Sequence, residues 1–263
     1  MTDTTSRWSH PDRQEDSLRF DEIQKEMIRY KQVADQDASD YDYPCPAPWK
    51  ETAEFCQVIL EGDWRGAARL FNQAIYREHS LPAAEIHLIQ PALYQIGKSW
   101  QKNEISIVKE HLATYISETL MAQGYGRIAS EPDNGLKALF ACSPGNLHTI
   151  GLRMVADAFE VAGWTVHFMG ANVSITSLLA AIEDRQPDLV ALSASLPQQV
   201  CDVMVTIDSL RTRLGKACPE IAVGGLVFNQ FPLIASTIEA ELLGPDAMAA
   251  VQSASILFNQ HRR

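Results

Sequence analysis

Apolar positions change their spacing twice along this chain. Up to about residue 48 polar residues dominate. Only 17–35 (SLRFDEIQKEMIRYKQVAD) carries a helical pattern, with Leu18, Ile23, Met27 and Val33 suited to packing on something else. The stretch YDYPCPAPW (41–49) has three prolines in close succession, so it cannot be helical and reads as a linker. From Lys50 to about Ile128 a helical period takes over. It predicts four helices. The first covers 50–61 and ends at Gly62; the second covers 64–79 behind an Asp63 cap. The third covers 82–102, with Pro82 at its first position and a kink at Pro91, and the fourth covers 105–126. Four helices with short connections predict an antiparallel bundle, with Phe71, Tyr76, Leu93, Tyr94 and Met121 as ordinary core.

After a turn at DNGL (133–136) the pattern alternates. Short apolar strands are predicted at 136–142, 164–169, 189–195, 221–224 and 240–243. Between and after them come helices at 149–162, 175–185 (capped by Ser174), 200–214 (stopped by Gly215) and 246–260. Strands alternating with helices of this length mean βαβ units and a parallel sheet. The predicted class is α plus α/β: a four-helix bundle followed by a Rossmann-like, flavodoxin-like domain with five parallel strands. The expected divisions are a polar extension over 1–48, a bundle cap over 49–130 and the α/β domain over 134–263. Such sheets bind ligands outside the C-terminal ends of their strands.

Composition narrows the function. The 263 residues carry a net charge of −11, with an isoelectric point near 5.1. That excludes a broad phosphate-binding surface, so direct nucleic-acid binding is not expected. No apolar run is long enough to span a membrane, and the first residues lack the apolar core of a signal peptide. Cys45, Cys56, Cys142, Cys201 and Cys218 are odd in number and never spaced as Cys-x-x-Cys, so free thiols in a reducing cytoplasm are expected.

The candidate chemistry sits at the predicted strand ends. Asn146-Leu147-His148-Thr149-Ile150-Gly151 follows the first strand. Then 41 residues separate Gly151 from Ser193-Ala194-Ser195, and 28 separate Ser195 from Gly224-Gly225. Three loops therefore converge on one rim. This arrangement resembles the cobalamin-binding Rossmann domains, which carry Asp-x-His-x-x-Gly, then Ser-x-Leu, then Gly-Gly at similar spacing. The resemblance implies cobalamin with its lower base displaced from cobalt, His148 as the lower axial ligand, and the small residues Gly151, Ser193, Ser195, Gly224 and Gly225 leaving room for the nucleotide tail. It implies a neutral imidazole at the metal with an acceptor behind it. Two positions depart from the pattern. Asn146 stands in place of Asp, an acceptor without full charge that should leave the ligand less strongly donating. Ser195 stands in place of Leu.

A second motif lies in the bundle, where nine residues separate Trp100 from Glu110-His111. This closely resembles the cap of cobalamin-dependent photoreceptors and light-responsive regulators. There the Trp and the Glu-His pair overlie the upper corrin face. The resemblance covers about residues 50–262. It implies adenosylcobalamin and a light sensor without enzymatic activity. The sequence shows no helix-turn-helix, basic patch, kinase or cyclase module, so output is expected through self-association or a separate effector protein, with the N-terminal helix as the candidate contact. DNA-binding members of that family carry a His directly after the Trp; here Gln101 replaces it. A corrinoid methyl carrier of a methyltransferase system is the enzymatic alternative. A bilin- or haem-binding sensor on the same fold, or a dual cobalamin/biliverdin photoreceptor, is another. A bilin would use Tyr41, Tyr43 and Trp49, with Cys45 as the candidate thioether. His10, His79, His87, His167 and His261 have no motif context and read as surface or core residues.

Overall fold

The computed structural model describes residues 46–125 and 130–261, together with Lys25. The compact unit Asp42–Arg263 carries both the helical and the α/β parts. Apart from Lys25, the helix predicted at 17–35 lies outside the described residues, as do Tyr41, Tyr43 and Cys45.

In the helical part, α1 (Thr52–Glu61) stops at Gly62, whose φ of 75° is a conformation that glycine adopts without penalty. Helix α2 (Trp64–Glu78) starts behind Asp63, whose carboxylate accepts the Gly66 amide at 3.0 Å. Ser80 caps α3 in the same way, accepting from the Ala83 amide at 3.1 Å. Helix α3 has an irregular course. It runs Leu81–Ala84, widens into a π-helical turn over Glu85–Ile89, and resumes as Gln90–Gln101. Pro91 explains the irregularity. Proline has no N–H, so the carbonyl four residues earlier, on His87, loses its helical donor. The linker and α1 supply the replacement: the Trp49 amide reaches His87 O at 3.1 Å and the Thr52 hydroxyl reaches it at 2.9 Å. Helix α4 (Ile107–Gly124) begins behind Ser106. The bundle core is built on Phe55, Ile59, Phe71, Leu88, Ile96, Ile116 and Leu120. Tyr76 is a correction to the expected core: it is 80% exposed, on the outer side of α2.

The α/β part follows the expected alternation. It comprises β1 (Lys137–Cys142), α5 (Ile150–Val161), β2 (Thr165–Gly170), α6 (Ile175–Arg185), β3 (Leu189–Ser193), α7 (Val200–Leu214) and β4 (Glu220–Gly224). Two short helices unforeseen in the sequence follow, α8 (Leu226–Gln230) and α9 (Pro232–Thr237), and then β5 (Glu241–Leu242) and α10 (Ala247–His261). All pairings are parallel, in the order β2-β1-β3-β4-β5. Strand β3 is buried along its whole length and β1 after its first residue, which is why both read as unbroken apolar runs. The order reverses between β1 and β3, so the loops leaving these two strands diverge and open a crevice.

Bundle and sheet share a core. Met154 and Ala158 of α5 and Ala247 of α10 belong to the apolar cluster of the bundle. Inside this junction Glu85, in the π-helical turn, is fully buried, and Asp157 of α5 is 1% exposed. Arg153 Nε pairs with Asp157 Oδ1 at 2.6 Å. Both Glu85 oxygens and Asp157 Oδ2 are otherwise without a donor. Burial, followed by the neighbouring Asp157 carboxylate, pushes the Glu85 carboxyl well above the usual carboxylate range. A proton on Glu85, facing Asp157, supplies the missing donor. Among the described residues no helix is long and apolar enough to cross a membrane.

Candidate functional site

Strand register aligns the three motifs. Cys142 pairs with Ser193, and Ser193 with Gly224, so one row crosses β1, β3 and β4 at their C-terminal ends. The residues after this row form the rim. Strand β3 ends at Ser193 rather than running to 195, because the Ser195 amide turns away to a side chain.

Asn146 is the fixed point. It is fully buried, and its Nδ2 donates to Ser193 O at 2.8 Å. Its Oδ1 accepts the His148 amide at 3.0 Å and lies 3.3 Å from His148 Nδ1. An amide meets both demands, donating on one side and accepting on the other, where a carboxylate would only accept. The Asn146 oxygen therefore selects the tautomer with the proton on Nδ1. These contacts leave Nε2 free on an imidazole that is exposed at the rim.

The glycines divide by what surrounds them. A Cβ on Gly225, at φ 96°, would lie 2.2 Å from Ala194 O and 2.9 Å from Ser193 Oγ, so backbone packing alone demands glycine there. A Cβ on Gly151 or Gly224 would meet nothing within 4 Å. These two keep open space at the rim. Beside it, Ser143 Oγ is buried without a hydrogen-bond partner. A cradle with two bare glycines, an orphaned hydroxyl and one free imidazole nitrogen fits a bulky polar ligand whose metal brings its other ligands with it.

The bundle residues group at one end. Trp100, near the end of α3, is 43% exposed and so is not core. Glu110 and His111 stand in the first turn of α4, with His111 Nδ1 2.7 Å from Glu110 Oε2. Thr114 donates to Glu110 Oε1 at 3.1 Å. Glu110, Thr114 and Glu118 follow at intervals of four on one face of α4. Glu118 reaches Thr149, the residue after His148, at 3.4 Å. So a single face of α4 runs from the Glu110–His111 pair down to the loop bearing His148. The axial rise between residues 110 and 118 is about 12 Å.

Three polar residues of this region have no counterpart among the sequence expectations. Gln199 is 5% exposed, its Oε1 accepting the Ser195 and Leu196 amides at 2.9 and 3.0 Å and its Nε2 donating to Gly145 O at 3.1 Å. Asn172, at φ 50°, accepts the Gly145 amide at 2.8 Å. Glu118 is the third. Gln199 had one readable signal, its position directly before a predicted helix; the others had none.

Comparison with known proteins agrees with this geometry. One family model, the B12 binding domain, matches residues 136–251. A second, also described as a B12 binding domain, matches 52–123. The HTH-type transcriptional repressor CarA of Myxococcus xanthus is 32% identical over 127 residues, 46% of this chain and 41% of the repressor. The chain thus spans less than half of that relative. The corrinoid protein DSY3155 of Desulfitobacterium hafniense is 21% identical over 65% of this chain and 82% of its own length. Among solved structures, the monomethylamine corrinoid protein of Methanosarcina barkeri shares the fold, with a TM-score of 0.68 over 78% of this chain and 96% of that one, at 15% identity. A B12-binding model thus matches the helical part of this chain and another matches the α/β part, which together support corrinoid binding.

Proposed function

We propose that this protein is a cobalamin-binding light sensor that holds the corrin between bundle and sheet and signals through a change of assembly or partner. The observation that carries the reading is the face of α4 that links Glu110–His111 to Thr149 beside His148. It sets the two motifs at opposite ends of one rigid ledge, with His148 below and Trp100, Glu110 and His111 above. When bound, adenosylcobalamin supplies visible absorption and a light-labile cobalt–carbon bond. The chain does the rest. His148 Nε2 would bind the cobalt, with Asn146 holding its ring and tautomer. Gly151 and Gly224 would leave room for the nucleotide tail, and Trp100 would pack over the corrin. Loss of the upper group would let the bundle shift relative to the sheet at the junction of Glu85 and Asp157. The likeness to a repressor supports a regulatory role for the cobalamin-binding part.

The test is reconstitution with adenosylcobalamin in the dark, followed by green light. The expected result is a bound corrin spectrum that changes irreversibly, with altered elution on sizing. The His148→Ala variant should lose most of the affinity. No corrin uptake by the wild type overturns the reading. Stable binding with no response of the protein to light favours a corrinoid methyl carrier, the second reading, which the coverage of the Desulfitobacterium corrinoid protein supports.

A further inference from the structure

Three loops leave the C-terminal edge of the sheet around His148, and three amide side chains lace them together. Gly145, three residues before His148, has both its peptide groups held from other loops. Its N–H goes to Asn172 Oδ1, from the loop after β2, at 2.8 Å. Its carbonyl takes Gln199 Nε2, from the loop after β3, at 3.1 Å. The Asn172 amide then donates to Asn146 O at 3.0 Å, and Asn146 reaches Ser193 O at 2.8 Å. Gln199 grips its own loop and that of Gly145 with opposite ends of its side chain, its oxygen capping the turn Pro197–Gln199. Its oxygen gathers the Ser195 and Leu196 amides just ahead of α7.

We infer that Gln199 is a positioning residue for the cobalt ligand: by strapping Gly145 to the loop after β3, it sets the height and angle at which His148 meets the metal. The inference rests on the reading of His148 as lower ligand. Gln199 does not touch His148. It acts through Gly145 and Asn146, and the strap resists the loop spreading that a ligand wedged between β1 and β3 would cause. A buried side chain that makes three hydrogen bonds to backbone is costly to replace, because each lost partner leaves a peptide group unpaired.

Two substitutions separate strap from cap. Gln199→Ala removes both. Gln199→Glu keeps an acceptor for the Ser195 and Leu196 amides but has no donor for Gly145 O. Asn172→Asp, which still accepts the Gly145 amide, is the control. Each full-length protein is grown with histidine carrying the heavier nitrogen isotope and loaded with unlabelled cob(II)alamin. Its electron paramagnetic resonance spectrum is then recorded. A histidine ligand splits each cobalt line in two; the corrinoid's own base splits it in three; no axial nitrogen leaves it unsplit. The wild type should show the twofold pattern. Both Gln199 variants should lose it in favour of the other patterns, with the ratio of histidine-ligated cobalt falling about tenfold. They should still take up cobalamin. Asn172→Asp should match the wild type. A Gln199→Glu protein with the wild-type pattern overturns the strap. Failure of both Gln199 variants to fold, read from thermal unfolding, also overturns it, because Gln199 would then serve the fold alone. A wild type lacking the twofold pattern removes the reading of His148 instead.

Discussion

Two glycines at the rim should respond to the same substitution in opposite ways. Gly225→Ala forces a methyl group to within 2.2 Å of a carbonyl oxygen at φ 96°, and should lower stability by about 2 kcal/mol or more in urea denaturation. Gly151→Ala places its methyl group in open space within the first turn of α5. It should stabilise the free protein by about 0.5–1 kcal/mol. Yet it should weaken cobalamin uptake severalfold in a titration followed by absorbance, since the methyl group occupies the path of the tail. Equal cobalamin affinity in wild type and Gly151→Ala would show that the tail runs elsewhere. The glycines and His148 were legible because their spacing matched strand ends on a predicted sheet. Gln199 and Asn172 were not. A polar residue in a loop reads as solvated until its backbone partners, such as the carbonyl of Gly145 54 residues away, are known.

At the scale of elements, the buried carboxyl pair predicts a pH dependence with a definite sign. Glu85 holds its proton in the folded protein, where burial and Asp157 favour the neutral form; of the charged groups acting on it, Arg153 opposes this and Asp157 reinforces it, both from α5. The unfolded chain releases that proton in the ordinary carboxylate range. Stability is therefore fully present below that range and falls as pH rises through the raised folded value. Denaturation free energy should decline as pH rises above the ordinary carboxylate range. Glu85→Gln, neutral throughout, should flatten the decline; an unchanged slope would place the titration elsewhere. The pair was hidden in the sequence because it depends on how bundle and sheet dock. Helix and strand spans were far more readable: α6 and α7 start and stop where apolar period, caps and Gly215 predict. The helices α8 and α9 are too short, at 5 and 6 residues, to show a period. The π-helical turn escaped because one proline announces only a missing donor. That Trp49 of the linker and Thr52 of α1 fill the gap is a tertiary fact.

For the whole molecule, a net charge of −11 disfavours contact with a polyanion. Output by contact with another protein chain is the consequent expectation. Deleting residues 1–48 should abolish any light-dependent change in elution volume while leaving the cobalamin spectrum intact. A light response that survives the deletion would assign assembly to the bundle or the sheet.

Helix α5 leaves the His148 loop at one end and reaches Asp157 two turns later, so on the reading of His148 as cobalt ligand whatever disturbs it also pulls on the Glu85–Asp157 pair. That gives the protein a thermochemical signature. If bundle and sheet part on cofactor loss, Glu85 becomes hydrated and releases its proton to the buffer. The heat of cofactor binding, measured at one neutral pH, should then vary linearly with the buffer's own enthalpy of ionisation, and the slope should count the protons exchanged. In Glu85→Gln the slope should shrink toward zero, so that calorimetry reads the opening of the junction without any optical label.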